Sequence, residues 1–342
     1  MLVILADDLT GALDTAAPFA GRGLQTRVAL GAEAIGEALS HQPDVLSVNL
    51  GSRELDENRA RALCAAALSA LPAGVTLFKK VDSRLKGHIE AELDAVPFRS
   101  ALVAPAIPAF GRVVQDGCVR GFGVDVPIKI AAKLGRHAAK VRIPDGNTAA
   151  DMQDVLAQAQ AEGVDLLIGA RGLAEALALQ MSGREEASFT ELPTGRALFV
   201  VGSRDPITLA QIERLRESTD LDYRAAPNGT LADPVPRGSR LTLVQATPGE
   251  GQLSPLEVSD NLARDLCPSF TDAARTLLLC GGATAEAVLA RLGVTGFRLM
   301  GECLPGLGLA YAGGQCIIAK SGGFGAPDTL RTIAGHTLGD MD

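Results

Sequence analysis

Two adjacent carboxylates, Asp7 and Asp8, end a short apolar run and lead into Thr10 and Gly11 in the stretch ADDLTGA. Paired acids at a strand end can accept hydrogen bonds from sugar-like hydroxyls or take a proton from one. The simpler alternative is a turn in which one acid caps a helix and the other is solvated. A second charged stretch, KKVDSRLKG, brings Lys79, Lys80, Asp82, Ser83, Arg84 and Lys86 into one turn directly after VTLF. Cations placed there can bind a substrate carboxylate or steady a transferred phosphoryl group. Arg53 in NLGSRE and Arg112 in PAFGR also follow apolar runs, and either guanidinium could fork onto a carboxylate.

The second half of the chain carries different chemistry. Its turns, VGSRDP, CGGATA and KSGGFGAP, are rich in Gly and Ser. Gly281 and Gly282 let backbone approach a ligand closely, and a helix starting near Thr284 offers free N–H groups to an anion. Thr284 reads as the N-cap of that helix, with Glu286 in its first turn. Asp205 reads as an N-cap with Pro206 at the first helical position. KSGGFGAP adds Lys320 and three glycines. Each turn alone is compatible with an ordinary helix start; together they suit a cradle for nucleotide phosphates. The dipeptide GK never occurs, and GxGxxG, HExxH, GxSxG and zinc-type Cys/His spacings are absent. This speaks against a P-loop, a dinucleotide fingerprint, a zinc site and a Ser–His–Asp hydrolase, and no metal ligand set is assigned.

The elements that must position these residues follow one pattern: a short apolar run, a polar or glycine-rich turn, then an amphipathic stretch. VILA, DVLSVNL, VTLFKKV, LLIGA, ALFVV, TLLLC and CIIAK are the apolar runs. Their length suits buried parallel strands, and the alternation predicts an α/β fold. A chain of 342 residues favours two domains. The polar segment SGREEASFTELPTG (182–195) breaks the periodicity, which places one domain at 1–185, a linker at 186–195 and a second domain at 196–342. A further irregular stretch, PNGTLADPVPRGSR (227–240), reads as a loop inside the second half. Net charge is -8 and aromatic residues make up only 4%, which disfavours nucleic acid as a partner. Six scattered cysteines without a CxxC pair predict free thiols. With no apolar run of transmembrane length, the expectation is a cytoplasmic protein without a membrane partner.

ADDLTGA, KKVDSRLKG, APAIPAFGR, VGSRDPITLAQI, GGATA and KSGGFG occur in this order. With them the chain resembles the four-carbon acid sugar kinases, a family that includes the D-threonate, D-erythronate and 3-oxo-tetronate kinases. The resemblance spans nearly the whole chain. It implies two domains, each a mainly parallel sheet flanked by helices, with the active site in the cleft between them. The N-terminal domain would bind the acid sugar and the C-terminal domain ATP, with the 4-phosphate as product. Carried over by motif, the resemblance points to Asp7, Asp8, Thr10, Gly11, Arg53, Lys80, Asp82, Ser83 and Arg112 for the substrate. For the nucleotide it points to Ser203, to Gly281, Gly282, Ala283 and Thr284, and to Gly322 and Gly323. The family's central motif usually reads KxDSTxRGN; here Arg84, Lys86 and His88 replace the threonine, arginine and asparagine. The stretch 121–146 is also short. Both departures lie in the substrate half.

The implied reaction is in-line transfer of the ATP γ-phosphoryl group to the terminal hydroxyl, with Mg2+ bridging the phosphates and the domains closing over the substrates. Asp8, with Asp82 as the second candidate, would accept or orient the hydroxyl proton. Two other functions remain compatible with the pattern: a sugar-acid oxidoreductase, and a non-catalytic regulator that binds ATP and a sugar acid. The expected partner is a small acid sugar, and a homo-oligomer is compatible with the sequence.

Overall fold

The computed structural model describes residues 1–233 and 238–339; positions 234–237 of the 227–240 stretch lie outside the described residues. The chain divides into two units, Met1–Ser188 and Phe189–Asp342.

The first unit runs β1 (Leu2–Ala6), α1 (Leu9–Gly21), β2 (Thr26–Leu30), α2 (Ile35–Ser40), β3 (Val45–Asn49), α3 (Glu57–Ser69), β4 (Thr76–Lys80) and α4 (Ile89–Leu93). It continues with β5 (Ala101–Ala104), β6 (Arg112–Gln115), β7 (Cys118–Gly121), β8 (Ile128–Lys129), α5 (Ile130–Leu134), β9 (Val141–Arg142), α6 (Ala149–Ala161), β10 (Leu166–Gly169) and α7 (Arg171–Ser182). Its main sheet has the order β2-β3-β1-β4-β10-β5-β9, with every pair parallel. β6, β7 and β8 form a small antiparallel sheet.

β1 is buried along its whole length, as a central strand covered on both faces must be. α1 covers one face, and Ser47 Oγ of β3 donates to Ala12 O at 3.0 Å beneath it. Local chemistry sets the helix starts. Asp8 caps α1, and Thr148 and Asp151 form a reciprocal capping box at α6.

The second unit runs β11 (Ala197–Val201), α8 (Pro206–Ser218), β12 (Asp222–Pro227), β13 (Leu241–Thr247), α9 (Pro255–Leu266) and β14 (Thr276–Cys280). α10 (Gly282–Arg291), β15 (Gly296–Leu304), β16 (Leu307–Ala312), β17 (Gln315–Lys320) and α11 (Thr329–Leu338) complete it. Its strands lie in the order β12-β13-β11-β14-β17-β16-β15, parallel through β17, with β16 antiparallel to both of its neighbours. Phe199, Leu243, Leu278 and Ile318 from the middle strands form the core with Leu330 and Ile333 of α11. All six cysteines are free. No described helix is long and apolar enough to cross a membrane.

Candidate active site

Three neighbouring strands assemble the charged cluster of the first unit. β3, β1 and β4 lie side by side and parallel, so the residues that follow each emerge at the same edge. The chain passes from β3 on one side of β1 to β4 on the other, and the crevice at such a reversal is where open parallel sheets hold ligands. The amides of Ser52 and Arg53 donate to Asp7 O at 2.9 and 3.2 Å, which ties the turn after β3 to the turn after β1.

Arg53 reaches both acids. Its Nε and Nη2 donate to the two oxygens of Asp7 at 2.8 and 2.7 Å, and its Nη1 donates to Asp8 Oδ2 at 2.8 Å. Asp8 Oδ1 accepts from Gly11 N at 2.9 Å, and Oδ2 accepts from Thr10 Oγ1 at 2.7 Å. Asp8 is therefore a helix cap and an ion-pair partner at once. Gly11 is required by this packing, because a methyl there would fall 2.6 Å from Asp8 Oδ1 and 3.1 Å from Lys80 Nζ.

Asp82 is engaged on one side only. Its Oδ1 accepts from the amides of Arg84 and Lys86 at 2.9 and 3.4 Å, whereas its Oδ2 stands 4.0 Å from Arg53 Nη1. No described residue donates a hydrogen bond to that second oxygen. Burial pushes the Asp7 and Asp82 carboxyls up, but Arg53 and the nearby lysines outweigh it and hold both below the ordinary carboxylate value.

Arg112 opens β6 in a buried position. It donates to Ser83 Oγ at 2.6 Å and twice to Phe122 O, at 3.0 and 2.8 Å. These acceptors are neutral, and among the described residues no carboxylate lies within ion-pair distance of its guanidinium. Burial and neighbouring Arg84 both lower its pKa.

Lys79 and Lys80 point to opposite faces of β4, as strand alternation requires. Lys80 Nζ donates to Val81 O at 2.9 Å near the start of α1. Lys79 Nζ instead pairs with Glu92 Oε2 of α4 at 2.8 Å, with both side chains only 1% exposed. It also donates to Leu5 O at 3.2 Å and to Lys80 O at 2.8 Å, while Ser52 Oγ donates to Glu92 Oε1. One buried ion pair thus pins the ends of β1 and β4 and the turn after β3, the segments that carry Asp7, Asp82 and Arg53.

The second unit brings three glycine turns together by the same device. β11, β14 and β17 are adjacent and parallel. A methyl at Gly202 would fall 2.0 Å from Thr284 Oγ1, and one at Gly322 would fall 2.0 Å from Ser203 Oγ. Gly281, at φ +108, lies beside Ser203. Asp205 caps α8 through Ile207 N at 3.0 Å, with Pro206 at the first helical position, as its sequence indicates.

Thr284 is not an N-cap. The positive φ of Gly281 lets the chain enter α10 directly at Gly282, so Thr284 falls inside the first turn and its Oγ1 meets Ser259 Oγ of α9 at 3.2 Å. Glu286 consequently lies beyond the first turn. The N-termini of α8 and α10 open at this edge, where unpaired helix N–H groups favour an anion. Glycines placed this closely at helix N-termini fit the approach of backbone to a polyphosphate.

Two sequence models match the chain: a sugar-binding N-terminal domain over residues 2–129, and a nucleotide-binding C-terminal domain over residues 256–330. A D-threonate kinase of Bordetella bronchiseptica is 30% identical over 402 aligned positions, which cover 97% of this chain and 96% of the relative. The chain belongs to the four-carbon acid sugar kinase family. A 3-oxo-tetronate kinase of Haemophilus influenzae is 25% identical, covering 99% of this chain and all of the relative. A solved structure from Salmonella typhimurium LT2 shares the fold, with a TM-score of 0.74 at 19% identity over 97% of this chain and 98% of that one.

The family's sequence signals bring Asp7, Asp8, Thr10, Gly11, Arg53, Lys80, Asp82, Ser83 and Arg112 to one edge of the first unit's sheet. Ser203, Gly281, Gly282, Ala283, Thr284, Gly322 and Gly323 occupy the three turns of the second. Sequence reasoning passes over the residues beneath them. Glu92 and Ser52 are distant in sequence from Lys79, although the alternation of the two lysines is a signal that they face different partners. In the second unit Thr208 Oγ1 donates to Gly322 O at 2.6 Å, and Gln211 Nε2 donates to Phe324 O and Ala326 O at 3.2 and 2.8 Å. These two helix side chains hold the turn after β17, and their spacing of three residues on α8 was the available clue.

Proposed function

We propose that this chain transfers the γ-phosphoryl group of ATP to the terminal (4-) hydroxyl of a four-carbon acid sugar such as threonate, erythronate or 3-oxo-tetronate. The first unit would bind the acid sugar and the second the nucleotide. The observation that carries this reading is the contrast between two strand-end sites: one dense in buried charge, one built of close-packed glycine turns at helix N-termini. The names of the relatives support the substrate class.

Within that reading the geometry redistributes the expected roles. Arg53 is already neutralised by Asp7 and Asp8, so it shapes the floor of the site rather than gripping a substrate carboxylate. Arg112, buried and without a carboxylate partner among the described residues, is the better receptor for the acid group of the substrate. Asp8 spends both oxygens on Arg53, Thr10 and the helix start. Asp82 keeps Oδ2 open and is held ionised at neutral pH, so it is assigned to orient the acceptor hydroxyl and take its proton as transfer proceeds.

Among the described residues no cluster of three or more His, Cys, Asp or Glu side chains is arranged for a metal. Mg2+ commonly binds through substrate phosphates, water and one or two carboxylates, so the phosphates would supply most of its ligands here. Bound Mg2+ would offset the charge of the polyphosphate.

An ADP-release assay with ATP and Mg2+, run across C4 and C5 aldonates and their oxo forms, tests the proposal. ADP formation that depends on a C4 acid is expected. ATP binding without ADP release for any acid sugar would instead favour a regulator and defeat the kinase reading.

A further inference from the structure

Lys320 ends β17 with no exposure to solvent. Its Nζ donates to Thr208 Oγ1 at 3.0 Å and to Ser321 O at 3.1 Å, and stands 3.9 Å from Cys280 Sγ. Thr208 and Ser321 offer neutral oxygens, and Lys320 forms no ion pair with any described residue. Asp205 at the cap of α8 and Cys280 on β14 are the titratable groups that face it. Burial pulls its pKa below the ordinary lysine value, and these two neighbours only partly offset the pull.

A buried ammonium without a counter-ion is expensive, and an apolar side chain of similar volume would stabilise such a position as well or better. Stability alone therefore does not account for a lysine here, and its placement suggests another role. Thr208 Oγ1 accepts from Lys320 and donates to Gly322 O, so the ammonium, the hydroxyl and the turn after β17 form one chain of hydrogen bonds. The backbone beside β17 is tied in as well, because Gly281 N donates to Lys320 O at 2.9 Å.

We propose that Lys320 is a charge-bearing positioning residue of the polyphosphate site, holding the Ser321–Gly322 turn from beneath through Thr208 and adding a buried positive charge behind the glycine turns. The inference rests on the nucleotide role proposed for the second unit. It makes binding of a polyanion and protonation of Lys320 mutually favourable.

Calorimetric titration of ADP with Mg2+ into the full chain and into Lys320→Met tests this. The variant is expected to melt at the wild-type temperature or above, since an unpaired buried charge is gone, yet to bind ADP at least about tenfold more weakly. In the wild type, binding on the alkaline side of neutral, where ADP is fully ionised and the lowered lysine begins to lose its proton, takes up protons. The uptake is read from two buffers of different ionisation enthalpy. Affinity falls as pH rises through that range, and Lys320→Met shows neither effect. Equal affinity in both proteins, or wild-type binding without proton uptake, overturns the inference alone. A wild-type chain that binds no ADP overturns the nucleotide role together with it. Should Lys320→Met fail to fold, the wild-type proton uptake decides the matter.

Discussion

The two units build their candidate sites in the same place, at the carboxyl ends of three adjacent parallel strands, and fill them in opposite ways. In the first unit β3, β1 and β4 deliver charges that mostly satisfy one another, with Arg53 closed onto Asp7 and Asp8. In the second, β11, β14 and β17 deliver glycines so tightly packed that a methyl at Gly202 or Gly322 would meet a hydroxyl at 2.0 Å. Each site has a buried lysine beneath it. Lys79 is paired with Glu92, and that pairing raises its pKa against the opposing effect of burial. Lys320 has no such partner among the described residues, and its pKa falls. Charge in the first unit holds the fold in shape; among the described residues Asp82 Oδ2 accepts no hydrogen bond and Arg112 pairs with no carboxylate, and the proposed function gives both to the ligand. In the second unit the lysine lies fully buried beneath the turns, while Arg204 is an exposed cation on the turn after β11.

The largest effect that would sharpen this contrast is on the rate. Asp82→Asn should lower kcat by about 10²–10⁴-fold while leaving the KM for ATP nearly unchanged, as expected for loss of a positioned base. Asp8→Asn keeps a good helix cap and should cost far less in kcat. Steady-state kinetics of the two variants side by side check the assignment, and the reverse order would return the catalytic role to Asp8.

Next in size is the fate of the two lysines' surroundings. Glu92→Leu strands a buried ammonium and should destabilise the first unit by about 3–5 kcal/mol. Urea unfolding monitored through the first unit would register the loss. A Glu92→Leu protein of wild-type stability would break the distinction between the paired and the unpaired lysine.

The smallest effect is on acid stability. The folded carboxyls of Asp7 and Asp82 titrate below the ordinary value of 3.8. The stability they contribute is therefore fully present above that value and is lost as pH falls through the folded values. Below about pH 4 the first unit should open before the second, a difference that hydrogen exchange resolved by unit can follow.

Much of the architecture is legible in the sequence because it is written locally. Buried runs such as LVILA and LLLC announce parallel strands, and Asp205-Pro206 announces the start of α8. The charged motifs also mark strand ends, because an apolar run stops abruptly on acids or lysines. What is not legible depends on contacts distant in the chain. Whether Asp8 is a base or a cap turns on Arg53, 45 residues away. Glu92 gives no local sign that it holds Ser52, 40 positions earlier. Thr284 has the side chain of an N-cap, but the left-handed backbone of Gly281 and the hydroxyl of Ser259 on α9 claim the position for a different arrangement. The hairpin of β15 and β16 hides in a Gly-rich stretch whose turn at Pro305-Gly306 is the one local marker.

The division of labour between the units is tested most directly by measuring both KM values in Arg112→Met and Gly322→Ala. Arg112→Met should raise the KM for the acid sugar by at least about tenfold and leave that for ATP within about twofold. Gly322→Ala, whose methyl would meet Ser203 Oγ at 2.0 Å, should do the converse. If Arg112→Met weakens ATP, or Gly322→Ala weakens the acid sugar while ATP is untouched, the two sites do not hold the ligands assigned to them.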